Sequence, residues 1–165
     1  MKSLATLSAL LVAGLANAQG GQNETTTKTT HPAVNMSEKI FDDKRDSAKD
    51  IASAIKLATK QNKHILLDVG GNWCIWCHRL DTTFTTDKEV ASLLKQYVVV
   101  KVNWSKENEN KAVLANYPKI VTGFPHLFVL DKTGKLIQDQ DSGLLETGDH
   151  HDPEKIMTFL KKWVK

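Results

Sequence analysis

Two cysteines are all that this 165-residue chain contains, and they stand three positions apart as Cys74 and Cys77. A pair closing so small a loop constrains the unfolded chain least, so a disulfide-stapled scaffold is excluded and a reactive pair is expected. The formal net charge is only +3. That leaves no basic field for nucleic acid and none for an acidic partner. Charged runs such as Asp42-Asp43-Lys44-Arg45-Asp46 mix both signs and read as solvated faces. No apolar stretch approaches the roughly 20 residues a spanning helix requires, so stable membrane insertion is not expected. What is there, 41% hydrophobic and 25% charged residues, is the composition of one globular domain with a real core.

The N-terminus has the three parts of an export leader: Lys2, an apolar run over residues 4–15, and Ala16-Asn17-Ala18 as an A-x-A cleavage pattern. We therefore read residues 1–18 as a signal peptide cleaved near Ala18, leaving a periplasmic or secreted protein. Residues 19–37, rich in Gly, Gln, Asn and Thr and without apolar periodicity, read as a flexible linker. Residues 38–165 form the folded domain. Asn23-Glu24-Thr25 and Asn35-Met36-Ser37 are acceptor sequons of use only in a eukaryotic secretory pathway, and Asn103-Trp104-Ser105 is a poor surface candidate at a strand end.

From Ser47 the pattern becomes regular. Ile51, Ala54, Ile55 and Ala58 recur at helical spacing, and the apolar run over 64–69 reads as a strand. Cys74 opens a second helix with Cys77, Leu80 and Phe84 inward, and Asp87 caps a segment carrying Val90, Leu93 and Leu94. Residues 98–102 are a β-branched strand. A helix is expected over 111–117, stopped by Pro118. Strands over 126–130 and 135–138 flank the turn Asp131-Lys132-Thr133-Gly134. Residues 139–152, with His150-His151, read as a solvated loop, the alternative being a segment near the proline loop that contacts substrate. Asp152 and Pro153 then start a last helix whose apolar stripe is Ile156, Phe159, Leu160 and Trp163. This order implies an α/β fold, a central mixed β-sheet flanked by helices on both faces.

The chemistry concentrates in Trp73-Cys74-Ile75-Trp76-Cys77-His78, directly after the first strand. At a strand-to-helix junction Cys74 would cap the helix, where unpaired N–H groups and the helix dipole favour a thiolate. Cys77 is close enough to displace a partner from Cys74, so one exposed turn supplies nucleophile and resolving group. Asp68, inside an apolar strand, is costly to bury alone, and Lys101 on a nearby strand offers it a partner. Trp73 reads equally as core or as a shield beside the sulfur.

With these residues in view, the chain over about 40–164 resembles the thioredoxin superfamily, in particular exported bacterial thioredoxin-like proteins of the disulfide-interchange type. The resemblance implies the thioredoxin fold and thiol–disulfide oxidoreductase activity, with Cys74 attacking, Cys77 resolving, and Asp68 with Lys101 assisting deprotonation of Cys77. It also implies that Phe124-Pro125, the latter as a cis-proline, faces the disulfide and pairs with the substrate backbone. Trp73, Ile75 and Trp76 would complete the substrate surface. Ile75-Trp76 departs from the Gly-Pro of thioredoxins and the Pro-His of strong oxidants, which leaves redox poise open. The reductase direction is weakly favoured because the resemblance is nearer to reducing members.

The expected partners are protein disulfides or dithiols and a redox partner that the sequence does not name, engaged by a monomer without cofactor or resident metal. Three rivals remain open, one of them a binding module whose cysteine pair is inert. Cys74-Ile75-Trp76-Cys77-His78 is formally the covalent c-type haem attachment pattern, with His78 as axial ligand. Alternatively Cys74 and Cys77 with His78, His150 or His151 could carry copper or zinc.

Overall fold

The computed structural model describes residues 32–165. The expected signal peptide, its cleavage site and most of the expected linker lie outside the described residues. Among those described, no helix is long and apolar enough to cross a membrane.

The first helix, α1 (Ser47–Gln61), begins where Asp46 accepts the Lys49 amide at 3.1 Å and ends at Asn62, in left-handed conformation with φ 54°. The strand β1 (His64–Gly70) follows at once. It leads to α2 (Ile75–Thr86), α3 (Lys88–Leu94) and β2 (Tyr97–Asn103). A short α4 (Lys111–Leu114), then β3 (His126–Leu130), β4 (Leu136–Asp141), a 3-10 turn over Ser142–Leu145, the small strands β5 (Glu146–Thr147) and β6 (His150–His151), and α5 (Pro153–Trp163) complete the chain. Asp87 and Asp152 cap α3 and α5 through backbone amides, as capping chemistry requires.

The main sheet has the order β2-β1-β3-β4, with β1 parallel to β2 and antiparallel to β3. Because side chains alternate along a strand, β1 divides its residues between two cores. Ile65, Leu67 and Val69 pack with Ile51, Ala54 and Ala58 of α1 on one face. Leu66 packs with Leu80, Val90, Ile156 and Leu160 from α2, α3 and α5 on the other. Asp68 and Gly70 share the parity of Leu66 and so lie beneath α2. The alternation of β1 thereby delivers a carboxylate, rather than an apolar residue, to the underside of the cysteine helix.

Two expectations are revised. The helix expected over 111–117 stops at Leu114, because Asn116 and Tyr117 bond three residues back, in the tighter 3-10 manner, to Val113 and Leu114. Residues 139–152 are not a solvated loop. Strand β4 runs on to Asp141, and β5 pairs with β6 as a second, two-stranded sheet that buries His151. The stretch Gln138-Asp139-Gln140-Asp141 hides its strand because β4 is an edge strand with no fully buried position, so apolar alternation is absent.

Candidate active site

A disulfide joins Cys74 and Cys77, whose Cα atoms are 5.2 Å apart. Cys74 is the N-cap of α2, and its sulfur receives the Cys77 amide at 3.1 Å. The site is less open than an exposed turn: Cys74 is 5% accessible and Cys77 1%. On its other side Cys74 Sγ lies 3.4 Å from the Phe124 carbonyl oxygen. The Phe124–Pro125 peptide bond is cis, and the Pro125 carbonyl accepts the hydroxyl of buried Ser142. The proline loop is thus pinned from behind by the segment that follows β4.

Aromatic rings surround this contact. Trp73 is 55% accessible, so it is not core; its indole N–H donates to the Trp104 carbonyl at 2.8 Å. Its ring meets Trp104 and Phe124 edge-on at 5.9 and 6.0 Å, while Trp104 and Phe124 stack at 4.8 Å. Ile75 is exposed beside the sulfurs. Trp76 is half-buried and packs against the cysteine cluster, with Arg79 4.3 Å over its ring and wholly buried His151 edge-on to it at 5.5 Å.

Beneath α2, Asp68 is 1% accessible and accepts from Lys101 Nζ at 3.0 Å through Oδ2, while its buried Oδ1 has no hydrogen-bond partner in the protein. Lys101 is also paired with Asp81 at 2.6 Å. Burial pushes the Asp68 carboxyl up, against the pull of Lys101. Burial alone would lower the Lys101 ammonium, but Asp68 and Asp81 together hold it above its ordinary value.

Sequence reasoning picked out Asp68 and Lys101 but missed Asp81, Gly70, Phe41 and Asn72. Asp81 was within reach, since it follows Cys77 by four residues and so shares its helix face. Gly70 is required by contact: a Cβ there would lie 2.6 Å from Cys77 Sγ and 3.0 Å from Phe41 Cζ. Of the three histidines, His78 Nε2 sits 3.0 Å from the Asn72 carbonyl, and His150 and His151 lie in β6. Among the described residues no group of three or more His, Cys, Asp or Glu gathers to hold a metal.

A mixed sheet in this order, carrying a Cys-x-x-Cys disulfide at the head of a helix, defines an α/β protein of the thioredoxin fold. The chain belongs to the Thioredoxin-like family, whose model matches residues 46–132. It is 29% identical over 92 residues to the thiol:disulfide interchange protein DsbD of Actinobacillus pleuropneumoniae, covering 55% of this chain and 16% of that one. It is also 29% identical over 80 residues to the same-named protein of Haemophilus ducreyi, covering 48% and 14%. The chain thus matches only a small part of the length of these relatives. Among solved structures, a disulphide isomerase from Xylella fastidiosa Temecula1 superposes with TM-score 0.66 at 23% identity, over 78% of this chain and 98% of that one. The oxidised C-terminal domain of DsbD from Neisseria meningitidis gives 0.55 at 19%, over 72% and 96%. A DsbH oxidoreductase gives 0.51 at 26%, over 67% and 81%.

Proposed function

We propose that this chain is an exported thiol–disulfide oxidoreductase that reduces disulfides of protein partners through Cys74 and Cys77. The observation that carries the reading is the Cys74–Cys77 disulfide at the head of α2, with the Phe124 carbonyl at 3.4 Å on one side and the Asp68–Lys101 pair beneath the helix. Starting from the dithiol, the Cys74 thiolate attacks one sulfur of the partner disulfide. The partner's other sulfur leaves as a thiolate and takes up a proton. Cys77, its proton passed to Asp68 Oδ1, then attacks Cys74 and releases the second partner thiol. The protein loses two electrons and the partner gains them; a dithiol donor returns the pair to its reduced form.

Phe124, Pro125, Trp73 and Ile75 are the surface on which the partner chain lies, with Trp76 behind them. The reducing direction is supported by the surroundings of Cys74. Its sulfur receives the Cys77 amide but also faces a carbonyl oxygen, which opposes negative charge there. A thiolate held so modestly stabilises the reduced form less than in strong oxidants, so the disulfide is the less oxidising. Export is supported by Lys2, the apolar run and Ala16-Asn17-Ala18. The folded domain begins near residue 38, acts as a monomer and works in a periplasmic or extracellular space.

The test is turnover of a model protein disulfide. Cys74→Ser abolishes it, whereas Cys77→Ser stalls as a stoichiometric mixed disulfide with that substrate. If neither variant changes the reaction in this way, the mechanism is wrong. The reduction potential of the pair against glutathione decides direction, and a value as oxidising as that of disulfide donors would reverse it.

A further inference from the structure

The segment that precedes α1 is tied to the cysteine loop by one side chain. Asn72 Oδ1 accepts the backbone amides of Ile40 and Phe41, both at 2.9 Å, and its Nδ2 donates to the Phe41 carbonyl at 2.7 Å. Asn72 is itself held, because its own carbonyl meets His78 Nε2 of α2 at 3.0 Å. An amide that satisfies two donors and one acceptor of the same short stretch fixes its position as a strand ladder would. The side chain so fixed is Phe41, 2% accessible, packed in one cluster with Cys74 and Cys77.

Phe41 packs directly beside the second sulfur. Its Cζ and Cys77 Sγ crowd the same point above Gly70, at 3.0 and 2.6 Å from it. Lys101 Nζ lies 4.8 Å from the ring centroid. The ion-paired groups beneath α2 are Asp68 of β1, Lys101 of β2 and Asp81 of α2 itself, with Asp68 buried and the Lys101 side chain still 29% accessible. We propose that Phe41, locked by Asn72, is a positioning residue that keeps water from Cys77. An apolar lid of this kind withholds hydration from the Cys77 thiolate, so the resolving step depends on Asp68 rather than on bulk water. The consequence for function rests on the exchange chemistry proposed above.

The experiment reads Cys77 alone, in a Cys74→Ser background, by the pH dependence of its ultraviolet thiolate absorbance. It needs no exchange activity, so it stands even if the proposed function fails. Asn72→Ala removes the lock without removing the ring; Phe41→Ala removes the lid; Phe41→Leu keeps an apolar lid. The first two lower the Cys77 midpoint by about one pH unit, the size expected when a buried thiol gains water, and Phe41→Leu stays near the parent. Should Phe41→Ala fail to fold, Asn72→Ala decides. A midpoint unmoved in Asn72→Ala, or moved equally by Phe41→Leu, overturns the proposal.

Discussion

Lys101 and Asp68 are Cα partners across the parallel β1–β2 ladder, and the Lys101 ammonium donates to Asp68 Oδ2 at 3.0 Å. Removing one member of a buried ion pair leaves the other charged without compensation, which costs more than the pair gains. Lys101→Met is expected to destabilise the fold by about 3 kcal/mol near neutral pH. Asp68 already has a carboxyl raised by burial, and without Lys101 it rises further. A raised folded-state value means the folded form binds the proton first, so stability returns as pH falls through it. Urea denaturation at several pH values checks this; a loss independent of pH would mean the pair carries no net charge effect.

Gly70→Ala tests the contact between β1 and the second sulfur. The added Cβ would lie 2.6 Å from Cys77 Sγ and 3.0 Å from Phe41 Cζ, and neither atom is the end of a flexible chain. Overpacking at such a point costs about 1–3 kcal/mol. Because the strain falls on Cys77, the variant should also form the Cys74–Cys77 disulfide less readily, seen as more free thiol at a fixed glutathione ratio. Unchanged stability and unchanged thiol content would show that α2 can shift to make room.

Ser142→Ala addresses the support of the proline loop. The buried Ser142 hydroxyl donates to the Pro125 carbonyl, and its loss leaves that oxygen without this donor. A buried acceptor deprived of its partner costs about 1–3 kcal/mol. The loop carrying Phe124 and Pro125 loosens, so exchange with a protein disulfide should slow while alkylation of Cys74 by a small reagent does not. Equal slowing of both reactions would place the effect at the sulfur instead.

Much of this architecture was legible because its signals are local. The Asp87 and Asp152 caps, the stripe of α5 and the strands at 64–69 and 126–130 each declare themselves within one short window. The placement of Asp68 beneath α2 follows from alternation in β1 alone. What sequence could not show is contact between distant segments. Asn72 holds residues 40 and 41 across more than thirty positions, and Gly70 is needed only because Cys77 and Phe41 converge on it. Residues 139–152 misled because an edge strand and a two-stranded sheet carry polar residues, and two of the three buried positions, Ser142 and His151, are themselves polar.

The position of that histidine predicts a loss of stability in acid. His151 is wholly buried against Trp76, neither ring nitrogen has a hydrogen-bond partner, and the nearest carboxylate, Glu146, stands 3.6 Å away. Burial, with Arg79 and His150 adding to it, pushes the imidazole down to about 4 from its ordinary 6.5. Below pH 6.5 the unfolded chain takes up a proton that the folded chain refuses until about pH 4, so stability falls as pH drops through this window and is fully present above it. The loss at the lower end is about 3 kcal/mol. Asp68 acts in the opposite sense, since its raised carboxyl favours the folded form as pH falls; comparison with a variant is needed to isolate the histidine. His151→Phe keeps a ring against Trp76 and removes both unpaired nitrogens. It should match or exceed the parent in stability at pH 7 and lose less between pH 6.5 and 4, measured by urea denaturation at each pH. Parallel pH profiles for the two proteins would show that His151 is protonated as readily in the folded state as in the unfolded one.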